Sequence, residues 1–223
     1  MAVIINIETA TTNCSVSIAR NGELIRLKED NSPQYSHSEL LHVFIQELLR
    51  EASLLFEDVS AIAVSMGPGS YTGLRIGVSA AKGLCFSLDL PLIAVPTLKI
   101  LAEQGIDKGY DFTVPLLDAR RMEVYAAVFN ARGEQIRDTR AEIVQGDSYR
   151  EYVQQGKVLL IGDGAQKCRE LLVHPNFVFN PARPSSREMA VLSYKKFMAS
   201  QFEDVAYFEP FYLKDFILHG RGA

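Results

Sequence analysis

Continuous hydrophobic runs indicate two buried strands in the first half of the chain. Residues 2–7 (AVIINI) and 59–65 (VSAIAVS) have almost no polar position, as expected of strands that are covered on both faces. An Asn-Gly pair at 21–22 predicts a tight hairpin turn, because both residue types tolerate positive φ. Helical spacing of apolar residues follows a capping box at Ser36 and recurs over 71–88. The pattern therefore predicts strand, hairpin, helix, strand and helix in that order.

The second half of the chain repeats this order in a reduced form. Residues 112–117 predict a buried strand, which an alternating segment follows. A short apolar run at 158–161 and a capping box that starts at Ser185 predict a further strand and helix. We therefore predict an α/β protein with two lobes, in which mixed sheets are flanked by helices. Residues 1–105 form the predicted N-terminal lobe, and 106–223 form the reduced C-terminal lobe.

Composition and charge narrow the functional classes. Hydrophobic residues make up 48% of the 223 positions, which is enough for a sizeable core. Lys and Arg number 23 against 27 Asp and Glu, and the net charge of −4 argues against a protein that holds nucleic acid unaided. Three widely spaced cysteines exclude a disulfide framework and fit a reducing compartment. Because no long apolar stretch or targeting segment is present, we expect a cytoplasmic protein that does not enter a membrane.

Known motifs for phosphate, nucleophilic and metal chemistry fail on spacing. The glycine-rich run at 67–73 (GPGSYTG) fits neither a P-loop, nor the dinucleotide fingerprint G-x-G-x-x-G, nor the nucleophile elbow G-x-S-x-G. His37 and His42 are five positions apart, so they are expected on different sides of a helix. We therefore predict no catalytic residue and no metal site.

A hydroxyl-rich turn follows the first predicted strand. It comprises Glu8, Thr9, Thr11 and Thr12. These side chains could contact the phosphate of a nucleotide, or they could satisfy the amides of their own turn. Asp163 lies between two glycines and could likewise contact a nucleotide or cap the helix that follows. Because neither position has a complete glycine cradle, we expect no tightly bound cofactor.

The predicted helix over 71–88 is apolar around nearly its whole circumference. Small residues recur at every fourth position, and only a narrow polar strip remains. Such a helix needs cover beyond its own sheet, either from the rest of its lobe or from a protein partner. The preceding predicted helix also has apolar residues outside its main stripe. The predicted partner interface comprises Leu40, Val43, Leu74, Gly77, Val78, Ala81 and Cys85.

Several of these segments resemble one known family. The residues at 7–10 (IETA), 65–84 (SMGPGSYTGLRIGVSAAKGL), 118–120 (DAR) and 123–125 (EVY) are similar to those of the TsaB (YeaZ) family. Its members are the dimerisation subunits of the bacterial machinery that makes threonylcarbamoyladenosine (t6A) in tRNA. The resemblance covers essentially the whole chain and is densest in the first 130 residues. It implies an actin-like (ASKHA) fold of two lobes.

The resemblance also implies a role without catalysis. TsaD, the catalytic relative, binds a metal through an H-x-x-x-H motif, and this chain has Thr97 and Leu101 at those positions. The family pattern implies a heterodimer with TsaD through the helices of the N-terminal lobe, and TsaE joins the larger complex. That complex modifies adenosine 37 of tRNAs that read ANN codons, and the tRNA is held mainly by the partner. Such subunits form homodimers when alone.

Two points stay open at this stage. A weakly bound nucleotide could lie at the interface with the partner. The alternative function is a stand-alone ATPase or small-molecule kinase with the actin-like fold, and it would require well-formed phosphate loops.

Overall fold

The computed structural model describes residues 1–32 and 37–213 and contains two five-stranded mixed sheets. The first sheet has the order β3-β2-β1-β4-β5. Its central strand, β1, runs antiparallel to β2 and parallel to β4, which in turn pairs with β5 in parallel. The strands of this sheet are β1 (Val3–Glu8), β2 (Cys14–Arg20), β3 (Glu23–Asp30), β4 (Ala61–Ser65) and β5 (Leu92–Val95).

The second sheet repeats this topology strand for strand. Its order is β8-β7-β6-β9-β10, with β6 in the place of β1, antiparallel to β7 and parallel to β9. The duplicated order, a hairpin on one side of the central strand and two parallel strands on the other, is that of the actin-like fold. The strands are β6 (Phe112–Asp118), β7 (Glu123–Asn130), β8 (Gln135–Ile143), β9 (Val158–Ile161) and β10 (Phe177–Asn180).

Helices cover both faces of the first sheet. Because β1 alternates its side chains, Ile5 and Ile7 pack towards α1 and α2, while Ile4 packs towards α3 and α6. In the part of the chain that the structure describes, no helix is long and apolar enough to span a membrane. The helices are α1 (His37–Glu51), α2 (Tyr71–Leu88), α3 (Thr97–Glu103), α4 (Arg150–Val153), α5 (Asp163–Lys167) and α6 (Ser186–Met198).

Local signals in the sequence place several elements correctly. The predicted turn is present, with positive φ at Asn21 and Gly22. Ser185 caps α6 through a hydrogen bond that its hydroxyl accepts from the Arg187 amide. The capping box at Ser36 lies outside the described residues.

Helix α6 lies in the predicted C-terminal lobe but packs on the first sheet. Met189 and Leu192 join Ile4 and Ile93 in one buried cluster. The apolar stripe of α6 therefore covers the face of the first sheet that α1 and α2 leave free. A boundary near residue 105 separates the two sheets, yet the core of the first lobe includes a helix from the far end of the chain.

Two glycines of α2 allow the helix to approach the β1–β2 turn closely. Thr9 lies buried in that turn and donates a hydrogen bond from Oγ1 to the Gly73 carbonyl over 2.8 Å. A Cβ atom at Gly73 would overlap with the Thr9 carbonyl oxygen, and one at Gly77 would overlap with the Thr9 hydroxyl. The helix reaches this position only because both residues lack a side chain.

We predict that Gly77→Ala destabilises the protein by about 1–3 kcal/mol, because overpacking against Thr9 outweighs the better helix propensity of alanine. Gly83→Ala in the same helix is the matched control. Since no described atom lies within 4 Å of a Cβ at Gly83, this change should stabilise the helix by up to about 1 kcal/mol. Urea unfolding monitored by circular dichroism measures both. Equal stabilities of the two variants would contradict the close-approach argument.

Candidate functional site

The glycine-rich loop at 66–70 is held by its own protein contacts. The Gly67 amide donates to Thr97 Oγ1 over 3.1 Å, and the Ser70 amide donates to the Ala10 carbonyl over 2.6 Å. A Cβ at Gly69 would overlap with Ala10, so the loop packs directly against the β1–β2 turn. These glycines therefore serve packing between β1, α2 and α3.

Side chains of the hydroxyl-rich turn also form hydrogen bonds with backbone groups of the protein itself. Glu8 Oε1 accepts a hydrogen bond from the Ala10 amide over 2.6 Å, and Thr11 Oγ1 accepts one from the Asn13 amide over 3.3 Å. Thr9 is bound to the helix, as described above. Glu8 Oε1, Thr9 and Thr11 therefore make the local hydrogen bonds of the second alternative. Glu8 Oε2 is buried without a partner among the described residues, and the contact of these side chains with a nucleotide stays a prediction. Thr12 is half-buried, and its contact with a phosphate stays a prediction.

Asp163 ties two elements of the second lobe together. As the first residue of α5, it accepts a hydrogen bond from the Asp118 amide over 2.8 Å. The Asp118 carboxylate forms an ion pair with Lys167 and also accepts a hydrogen bond from the Arg120 amide. Asp163 thus fixes the end of β6 against α5. The N-cap position of α5 is occupied by Gly162, so Asp163 does not have the capping position that was one of its two predicted roles.

The Glu8 carboxyl is the most perturbed acid in the first lobe. Its residue is fully buried, and burial raises its pKa to about 8, although hydrogen bonds from the Ala10 amide and the Ser65 hydroxyl act in the opposite direction. At neutral pH the group is mainly protonated. It is therefore a neutral hydrogen-bonding group beneath the turn.

Residues predicted at the partner interface mostly face inwards. Leu74, Gly77, Val78, Ala81 and Cys85 are all buried against the first sheet within the chain itself. These residues serve the packing of their own lobe, and their contact with a partner stays a prediction. The small-residue stripe brings α2 close to β1 and β4, and the helix uses it for its own lobe.

Two residues of α1 complete the predicted set. Leu40 is half-buried and packs against the core cluster, while Val43 is 43% exposed. Val43 is thus the member of the set that remains freely accessible.

The accessible apolar face of α2 is its second stripe, at Ile76, Ala80 and Leu84. These side chains are half-buried and line a groove of about 450 Å³ between α2 and α1. Gly83 and Ser79 are exposed in the same groove, so its α2 wall has little side-chain bulk. Spacing at 76, 80 and 84 is the sequence signal for this face.

Helix α1 forms the other wall with His37, Ser38 and His42. His37 is buried and its Nε2 lies 2.8 Å from the Thr11 carbonyl, so this nitrogen carries the proton and donates. His37 is buried against the β1–β2 turn and His42 is exposed, as expected of different sides of the helix, and both nevertheless contribute to the lining of this groove. Within residues 1–32 and 37–213, no three His, Cys, Asp or Glu side chains are placed to hold a metal ion.

Thr97 and Leu101, which the family resemblance places at the histidine positions of the catalytic relative, serve packing. Thr97 is buried and binds the Gly67 amide, and Leu101 is buried among residues of the second lobe.

Because the folded protein keeps a proton on Glu8 that the unfolded chain loses, stability should fall as pH rises from about 4.5 to about 8. Glu8→Gln mimics the protonated acid and removes this dependence. We expect the variant to gain about 2–4 kcal/mol relative to the wild type between pH 5 and pH 8. Urea unfolding at both pH values measures the difference. The exposed Glu57→Gln serves as the control, and a parallel pH dependence in Glu8→Gln and wild type would refute a buried neutral Glu8.

The chain is similar to a known protein family and to several of its named members. The family model described as TsaD, tRNA N6-adenosine threonylcarbamoyltransferase, matches residues 32–216. The tRNA threonylcarbamoyladenosine biosynthesis protein TsaB of Escherichia coli K12 is 29% identical, over 95% of this chain and 94% of its own. The Haemophilus influenzae protein of the same name is 34% identical over 55% of this chain and 51% of its own.

A solved structure agrees with these relatives. The structure titled "YeaZ from Pseudomonas aeruginosa" superimposes with a TM-score of 0.82 at 25% identity, over 96% of this chain and all of that one. Together with the match to the family model, this shows that the chain belongs to the TsaD family and, within it, to the TsaB (YeaZ) proteins of tRNA threonylcarbamoyladenosine biosynthesis.

Proposed function

We propose that this chain is a non-catalytic subunit that pairs with a TsaD-type catalytic subunit through the α1/α2 groove. The pair modifies adenosine 37 of tRNAs that read ANN codons, in the cytoplasm. The observation that carries the proposal is the groove itself: an apolar stripe on α2 that stays accessible after the lobe has formed its own core.

The shape of the groove suits the approach of another helix. Gly83, Ser79 and Ala80 add little bulk, so a helix backbone can come close, while Ile76 and Leu84 supply apolar contact. Helices that pack through such ridges and grooves lie 8–10 Å apart and bury their stripes together. Two helices from a partner would complete a four-helix arrangement with α1 and α2. The same surface would support a homodimer when the partner is absent.

The state of the loops argues for a role without catalysis. In an independent ATPase or kinase, the turns at the ends of β1 and β6 would present free amides and hydroxyls to a phosphate. Here Thr9 and Thr11 bind their own turn and helix, and Asp118 is paired with Lys167. The stand-alone kinase therefore has less support than the partner subunit.

The remaining components of the proposal follow from charge and from the position of the groove. With a net charge of −4, the chain is poorly suited to hold tRNA by itself, and the catalytic partner would supply most of that contact. A TsaE-type ATPase would join the larger assembly. A weakly bound nucleotide would lie at the junction of the subunits, where Thr12 is the accessible hydroxyl of the turn.

Gly83→Glu tests the groove, because the site has room for a side chain and the fold should persist. We expect at least a tenfold loss of affinity for the TsaD-type subunit of the same organism, since the carboxylate would have to be desolvated at an apolar contact. Titration calorimetry measures the pairing, and t6A formation in a reconstituted reaction should fall with it. Circular dichroism confirms folding.

Val191→Glu is the matched control. Val191 is 42% exposed on α6, on the opposite face of the first sheet, so its substitution should leave pairing unchanged. If folded Gly83→Glu pairs as tightly as Val191→Glu, the groove is not the docking surface.

A further inference from the structure

A second cavity lies on the other face of the first sheet, away from the α1/α2 groove. It measures about 380 Å³, is lined almost entirely by polar side chains, and opens where α6 begins. Asn13 and Glu29 reach it from the start of β2 and the end of β3, and Arg187 and Glu188 reach it from α6. Arg183, in the segment between β10 and α6, completes its charged lining.

Asn13 presents an oxygen without a hydrogen-bond donor. The residue is 2% exposed, and its Nδ2 donates to the Pro184 carbonyl over 3.0 Å and to Glu29 Oε1 over 3.2 Å. Because both of these partners are acceptors, the amide can have only this orientation. Asn13 Oδ1 is then left buried, and no described residue donates to it. An unsatisfied buried acceptor is costly, so the position calls for a donor from elsewhere.

Glu188 also lines the cavity and has a carboxylate oxygen without a hydrogen-bond donor among the described residues. Its Oε2 is buried and receives no hydrogen bond from the described part of the chain. Burial, with smaller contributions from the charges of Glu29 and Glu103, raises the pKa of the Glu188 carboxyl to about 7, although its own backbone amide and Arg187 act in the opposite direction. The carboxyl is therefore close to half-ionised at neutral pH and sensitive to any cation placed beside it.

Asn13 Oδ1 and the Glu188 carboxylate are hydrogen-bond acceptors, so a ligand that satisfies both must be a hydrogen-bond donor. A metal ion would need a cage of ligands, and residues 1–32 and 37–213 contain no group of three His, Cys, Asp or Glu placed to form one. An ammonium group needs only a few acceptors in the directions of its three N–H bonds. We propose that this cavity binds a small primary ammonium ion, which donates to Asn13 Oδ1 and to the Glu188 carboxylate.

The arginines distinguish the two sources of such a cation. Arg183 and Arg187 line the same cavity, and a guanidinium is well matched to a carboxylate. An α-amino acid would use both halves of the lining, with its ammonium on the acceptors and its carboxylate on the arginines. A plain amine would use the acceptors alone.

Titration calorimetry of the purified chain with glycine and with methylammonium tests the proposal. Because binding favours the ionised Glu188, the affinity should rise about tenfold between pH 6 and pH 8. At pH 6.5 binding should release a proton from Glu188, so the measured heat should depend on the buffer. Tighter binding of glycine identifies an amino acid site, and equal binding identifies an amine site. The absence of saturable heat for both probes overturns the proposal.

Glu188→Gln should weaken binding of either probe at least tenfold and remove its pH dependence. At pH 8, Arg187→Gln should weaken the binding of glycine more than that of methylammonium. Glu170→Gln, an exposed change in the second lobe, is the control and should bind as the wild type does. Thermal unfolding confirms that each variant is folded. A folded Glu188→Gln with wild-type affinity and pH dependence overturns the assignment, and because this cavity lies across the sheet from the groove, that result leaves the pairing function untouched.

Discussion

The contact between Thr9 and the glycines of α2 sets the arrangement of the first lobe. It brings α2 against the β1–β2 turn with no side chain in between at Gly73 and Gly77, and the loop at 66–70 packs against the same turn through Gly69. With α2 in this position, its stripe of small residues is buried inside the lobe. The stripe at Ile76, Ala80 and Leu84 is then the one that remains towards solvent, beside α1. The location of the proposed docking surface thus depends on how closely the helix packs against its own turn.

Sequence patterns predicted most of the strands and the hairpin, because burial on both faces and the Asn-Gly turn are local signals. They did not predict β8 and β10, whose side chains are exposed or half-buried. They also did not decide which face of α2 turns inwards. Helical spacing shows that Leu74 and Val78 share one face and that Ile76 and Ala80 share another, but both faces are apolar. The choice between them depends on Thr9, more than sixty positions earlier, and no periodicity within the helix contains that information.

The same limit applies to the polar positions. Whether a threonine hydroxyl contacts a ligand or its own backbone depends on partners that lie far away in the chain, such as the Gly73 carbonyl for Thr9. Asn13 is the clearest example. Nothing in its neighbourhood in the sequence relates it to Pro184 or Glu188, and only the return of the chain along α6 brings them to one cavity. Local signals predict elements well, whereas sites assembled across the fold need the packed structure.

The packing of α6 has a consequence for synthesis on the ribosome. When residues 1–105 have emerged, all five strands of the first sheet are available, but only α3 is present on the side of the sheet that Met189 and Leu192 will cover. Ile4, Ala63 and Ile93 would then face water or a chaperone until almost ninety further residues have been translated. The first lobe is therefore the last to be completed, and one apolar face of its sheet stays incompletely covered while residues 106–192 are translated.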